Sequence, residues 1–258
     1  MELWTEQHAI TLLPSLAVMI ALGLILRKLI GKKDTKIRMI PIQIIAITLV
    51  ILEVGKQLVS IQRGYDLYHI PLHFCSLFIF MLPSMAFYRG KCAQAISIIT
   101  TALCASVFCL MIIYPNLIYS AGNIEYFFVD FLDFHTVAFH NLVMLAFVLI
   151  LALDLQTPAQ SGGNKAITIF MLVFCAVSST MAQILKTNYA NFYTCNIPVL
   201  EEVRISVRAI LGTVVTQIIY ILILTVLNIG FVLGCNLLLK ALSRAIRSNS
   251  RKKQDMSL

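Results

Sequence analysis

Two short stretches and two isolated positions carry the side chains with chemistry in them. "YHIPLHFC", residues 68 to 75, sets His69, His73 and Cys75 close together in a chain that is 59% hydrophobic. Histidines four apart on a helix are spaced for a metal, and a histidine near a thiol is the composition of a nucleophile and its base. Pro71 argues against the metal pair, because proline prefers the first turn of a helix and would leave His69 outside the helix that holds His73. No metal site and no cofactor motif is therefore expected. Cys75 follows His73 by two residues, about 200° round a helix, so the two cannot form a dyad within one helix. The thiol reads either as a nucleophile or as a small apolar core residue. His140 opens the apolar run "NLVMLAFVLILAL", and a histidine buried there needs a hydrogen-bonding partner. His135 reads as an interfacial histidine. Glu53 and Lys56 share a helical face with the acid first, where they either pair with each other or face a cavity.

The elements that position these residues are membrane helices. The mean hydropathy is +0.88, and 12% of residues are charged, against about a quarter in soluble domains. A crossing helix needs about 20 mainly apolar residues to span the ~30 Å hydrocarbon core. Seven such stretches run approximately 9 to 26, 39 to 60, 71 to 88, 93 to 115, 136 to 153, 166 to 185 and 209 to 239. The expected fold is an all-α, seven-helix transmembrane bundle. One domain, 1 to 242, is followed by a basic cytoplasmic tail, 243 to 258. Barrel strands alternate in polarity every second residue, and "LAVMIALGLIL" does not.

Lysine and arginine collect on the cytoplasmic side of short loops. Fifteen of the 20 basic residues fall on one side: Arg27 to Arg38 after the first stretch, Arg89 and Lys91, Lys165, and Lys240 onward. This orients the N-terminus outside and the C-terminus inside, in the cell membrane. The net charge of +8 is then a topology signal, and no nucleic-acid partner is expected. Of seven cysteines, only Cys195 falls clearly outside the membrane, so a disulfide framework is not supported.

Depth sorts the polar residues. Glu53 and Lys56 lie near the outer end of the second stretch, His69 and His73 at the start of the third, and Asn116 after the fourth. His135 and His140 open the fifth, and Asn188 and Tyr189 follow the sixth. The inner halves carry almost nothing ionisable. A charge in hydrocarbon costs about 2.5 kcal/mol or more, so such residues normally face a bundle interior. The pattern implies one polar cavity toward the outer leaflet, lined by Glu53, Lys56, His73, His140, Asn188 and Tyr189. On this view Pro71 starts the third helix, His73 points into the cavity from its first turn, and His69 stays at the headgroup level.

"EVGK" (Glu53 to Lys56), "PLHFC", His140 before its apolar run and "TNYANFYTCNIP" (Thr187 to Pro198) occur in that order in YwaF-type bacterial membrane proteins. The set also resembles the animal transmembrane protein 164 family, over roughly residues 45 to 200. The resemblance implies a multi-helix membrane protein. In the animal branch it implies an acyltransferase that remodels phospholipid through a cysteine acyl intermediate. His73 and His140 match the two family histidines, Glu53 matches the acidic position, and the nucleophilic cysteine falls on Leu72. Either Cys75 takes that role, or the histidines support direct transfer or hydrolysis, or this branch does not perform the chemistry.

Two function classes follow. One is an intramembrane acyltransferase or acyl hydrolase acting on outer-leaflet lipid, with His140 as general base, His73 polarising the carbonyl and Cys75 as a candidate nucleophile. The other is a binding or transport protein with an outward-facing polar cavity. A transporter would continue its polar path through the inner halves, which the sequence does not do. Membrane lipid is the implied partner, and nothing in the sequence specifies a protein partner.

Overall fold

A computed structural model describes residues 3 to 156 and 162 to 255, with side-chain exposure described as far as residue 243. Glu2, most of the "TPAQSGGNK" connection, the last three residues and the basic side chains from Arg244 onward lie outside that description. Every regular element among the described residues is helical. In chain order these are α1 (Glu6–Ile30), α2 (Thr35–Gln62), α3 (Phe78–Phe87), α4 (Ala93–Ile113), α5 (Ala121–Glu125), α6 (Phe131–Ala152), α7 (Gly163–Leu185), α8 (Pro198–Leu211) and α9 (Thr213–Asp255). Six of them, α1, α2, α4, α6, α7 and the Thr213–Ser243 part of α9, are long and apolar enough to cross a membrane.

α4 is the central element. It has an uninterrupted buried run from Ile98 to Val107 and packs against α3, α6, α7 and α9. Three polar residues in that run would be costly if left unpaired. Thr100, Thr101 and Ser106 instead return their hydroxyls to the carbonyls of Ile96, Ser97 and Ala102 one turn back. Their short side chains also let neighbouring helices approach closely. α1, α2 and α9 keep broad exposed rows of Leu, Ile and Val, such as Leu24, Ile44, Ile51, Leu222 and Val226. In a bilayer these face acyl chains.

α2 packs against α6 at Gly55, where an added β-carbon would come within 2.9 Å of Phe131 Cζ. We expect Gly55→Val to destabilise the protein by about 1–3 kcal/mol through overpacking. Phe131→Leu should restore part of the loss, and thermal unfolding in detergent measures both.

The third apolar stretch differs from a continuous helix over 71 to 88. The helical part is Cys75–Phe87, with a 3-10 turn at Cys75–Leu77 before α3. At 1.5 Å per residue this covers about 20 Å, two-thirds of a hydrocarbon core. Pro71 is the reason. It forces the residue before it out of the helical region, and Ile70 has φ −59° and ψ 132°. The chain therefore reaches Cys75 through a turn at Gly64 (φ 90°) and Tyr65 (φ 23°) and a 3-10 turn at Leu67–His69. Pro71 lies within the irregular approach instead of starting a helix, and His73 sits in the bend before the 3-10 turn.

The last apolar stretch also differs. It breaks at Gly212, whose φ of 78° a side-chain-bearing residue rarely adopts. Residues 198 to 211 form the separate helix α8, and α9 continues past residue 239 to Asp255.

Candidate functional site

The irregular segment before α3 exposes backbone carbonyls at membrane depth, and such backbone is tolerated only where protein satisfies it or a cavity borders it. Side chains from three directions do this. Tyr189 donates its hydroxyl to Leu67 O at 2.5 Å, and His73 Nε2 donates to Tyr68 O at 3.0 Å. From α2, Gln57 Nε2 donates to His69 O at 2.7 Å, and from α7, Ser178 Oγ donates to Leu72 O at 2.9 Å. The segment is thereby fixed as a wall between α2 and α7.

That wall borders a cavity of about 310 Å³. Around it stand Glu53 and Lys56 from α2, His69, His73 and Cys75 from the wall, and His135 and His140 from α6. Asn188 reaches it from the connection after α7, and Asn228 from α9. Leu72 is not among the residues that border it, whereas Cys75 is.

Electrostatically the centre is Glu53, a buried carboxylate. Its Oε1 lies 2.9 Å from Lys56 Nζ and accepts from Gln57 Nε2 at 2.7 Å. Its Oε2 stands 3.4 Å from His135 Nε2, an ion-pair distance without hydrogen-bond alignment. Tyr65 Oη donates to Gln57 Oε1 at 2.8 Å, so Gln57 ties the carboxylate to both ends of the wall. His135, expected at the interface, is buried because its ring turns inward to Glu53. His69, expected at the headgroup level, also borders the cavity.

His140 has the clearest chemical state. Its Nδ1 lies 2.6 Å from Thr136 O, which can only accept, so Nδ1 carries the proton. Nε2 is then a lone pair, buried and without a partner among the described residues. For His73 the same logic runs the other way: Nε2–H is committed to Tyr68 O, leaving Nδ1 as an acceptor. Its ring packs between Tyr68, tilted by 58° with centroids 4.4 Å apart, and Tyr189, edge-on at 5.5 Å.

Tyr189 and Asn188 organise this region. The Tyr189 hydroxyl is spent on Leu67 O, and its buried ring stands behind His73 instead of bordering the cavity. Asn188 Oδ1 accepts from the backbone N–H of Tyr193 and Thr194, while its amide donates to Asn196. These bonds shape a loop in which Ala190 and Asn191 take positive φ, 48° and 66°.

Gln57 and Asn228 were not singled out from the sequence, and His135 was read only as an interfacial residue. Gln57 is four residues after Glu53 and so on its face, and Asn228 is an isolated amide in the apolar run "YILILTVLNIGFVLG". Both signals were present. Among the described residues no three His, Cys, Asp or Glu side chains gather as a metal cluster.

Helices with lipid-facing apolar rows around a polar cavity walled by irregular backbone define an integral, multi-pass helical membrane protein with a built internal site. A sequence model of the TMEM164 family matches residues 3–199. The chain belongs to the TMEM164 family. No curated protein and no solved structure matches it.

Proposed function

We propose that the protein is an intramembrane acyltransferase or acyl hydrolase acting on lipid in the outer leaflet of the cell membrane. The observation that carries this reading is His140, a residue that borders the same cavity as Cys75, with Nδ1 held by Thr136 O and a buried Nε2 that has no partner among the described residues. A neutral imidazole fixed in this way is a general base. It removes the proton from the attacking group as that group adds to an ester carbonyl of the donor lipid. The C–O bond to the leaving alkoxide then breaks, and the alkoxide takes the proton back from Nε2. Where Cys75 is the attacking group, a thioester forms, and a lysolipid hydroxyl or water releases it in a second step of the same kind. Lys56 is the cation that offsets the developing oxyanion, because the Nε2–H of His73 is already given to Tyr68 O. His73 contributes an acceptor at Nδ1, suited to orienting an incoming hydroxyl.

The topology used here has seven passes, with the N-terminus outside and the C-terminus cytoplasmic. In it the third pass is α3 together with its irregular approach. The packing of α3 against both α2 and α4 and the fifteen of 20 basic residues that fall on one side support it. In intact cells an impermeant thiol reagent should label Cys195 and spare Cys92; the opposite pattern overturns this orientation.

The activity is tested with the full chain in vesicles holding a diacyl phospholipid and a labelled lysophospholipid, with the acyl products followed by mass spectrometry. Cys75→Ser separates the routes. Loss of turnover together with loss of a hydroxylamine-sensitive adduct assigns the nucleophile to Cys75, and retained turnover assigns direct attack. Absence of any acyl product from the parent chain overturns the enzyme reading in favour of a binding cavity.

A further inference from the structure

α8 has a face that the bundle does not use. Set at 100° per residue, Val199, Leu200, Val203, Val207, Ile210 and Leu211 occupy one arc of about 120°, and Glu201, Glu202, Arg204, Ser206 and Arg208 occupy the rest together with Ala209 and an isolated exposed Ile205. The apolar arc points away from the protein: Val199 is 68% exposed and Ile210 81%. The polar arc does the internal work. Arg204 donates to both oxygens of Glu201 and to Gln217 Oε1 on α9, and Glu201 accepts from Cys195 N. The hydrogen bonds from Arg204 hold the Glu201 carboxyl below its ordinary pKa, so the pair stays ionised and mutually neutralised.

We infer that α8 is an interfacial helix whose Val199–Val203–Ile210 face is immersed in the acyl chains of the leaflet on the cavity side. Two observations choose lipid as the occupant. First, the exposed apolar row continues without interruption round the Gly212 corner onto Val214, Val215, Ile218 and Leu222 of α9, a helix that crosses the membrane. Second, the apolar run of α9 from Thr213 to Leu239 is about 40 Å long at 1.5 Å per residue, and Lys240 marks its far end. That exceeds the ~30 Å hydrocarbon core, so the corner falls in the interfacial zone. An amphipathic helix with one apolar and one charged face settles there, with its apolar side sunk into the acyl boundary.

The consequence reaches the cavity. The loop that carries Asn188, Asn191 and Asn196 to the cavity edge is fastened to this hairpin by Glu201 to Cys195 N, by Gln217 to Phe192 O and by Tyr220 to Asn191 O. Lipid immersion of α8 thus sets the depth of the cavity rim at the level where lipid headgroups and ester groups lie.

The test is single-tryptophan addition, read as emission above the parent's own Trp4 signal. The full chain is placed in phosphatidylcholine vesicles, with or without bromine on the acyl chains. Val203→Trp and Ile210→Trp should lose most of their added emission in brominated vesicles and be indifferent to aqueous iodide. Glu202→Trp, on the polar arc, should show the reverse and controls for folding. Iodide quenching of all three places the face in water and overturns the inference. Insensitivity of Val203→Trp and Ile210→Trp to both quenchers means a second copy or another protein surface covers the face, which overturns it equally.

Discussion

His140→Ala is expected to lower acyl turnover by about 10²-fold or more, the usual loss when a positioned base is removed, with little change in unfolding temperature. The fold should survive because, among the described residues, the ring makes one hydrogen bond, to the carbonyl of its own helix one turn back. Thr136 O loses only that extra interaction when the ring is gone. The effect should appear in kcat, since the base acts on the reacting proton and not on lipid affinity. His69→Ala is the matched control. His69 is anchored through its backbone carbonyl, which Gln57 still reaches in the variant, so turnover should fall much less. Equal turnover in His140→Ala and the parent would remove general-base catalysis at this cavity.

The second large effect concerns stability. The Glu53 side chain is 9% exposed and that of Lys56 13%, so the pair is largely withdrawn from solvent. Removing one partner of such a pair leaves the other charge buried alone, at a cost of about 3–5 kcal/mol. Glu53→Ala should approach that range, because it also strips Gln57 of one partner and His135 of its counter-charge. The double variant Glu53→Gln, Lys56→Met should be more stable than Glu53→Ala, since it leaves no uncompensated charge. Denaturant or thermal unfolding of all three gives the comparison. If Glu53→Ala unfolds like the parent, the pair is solvated in the membrane-embedded protein and Glu53 does not hold the site together.

Much of the fold was legible because membranes impose simple rules on sequence. Length and apolarity marked α1, α2, α4, α6, α7 and α9, for a helix in lipid satisfies its own backbone and shows its side chains to a uniform solvent. The third and last stretches were misread for one reason. Hydropathy reports what surrounds a segment, not its backbone conformation. The segment from residue 71 to 77 is apolar enough to pass for helix, and the run from residue 209 onward hides the corner at Gly212.

The sequence by itself determined the class of protein and pointed to Glu53, Lys56, His73, His140 and Asn188 as residues that border one cavity, because ionisable groups are costly in hydrocarbon wherever they fall. It also determined that Glu53 and Lys56 could meet, since i and i+3 are neighbours on any helix. Tertiary structure alone decided that His135 turns inward to Glu53, that Gln57 and Ser178 hold the carbonyls of His69 and Leu72, and that Cys75 borders the cavity while Leu72 does not. Those pairings join residues up to 106 positions apart. They depend on which carbonyls the Pro71 break leaves without helical partners and on which neighbouring side chains the packed bundle brings within about 3 Å of them. No local property of the chain encodes that distance.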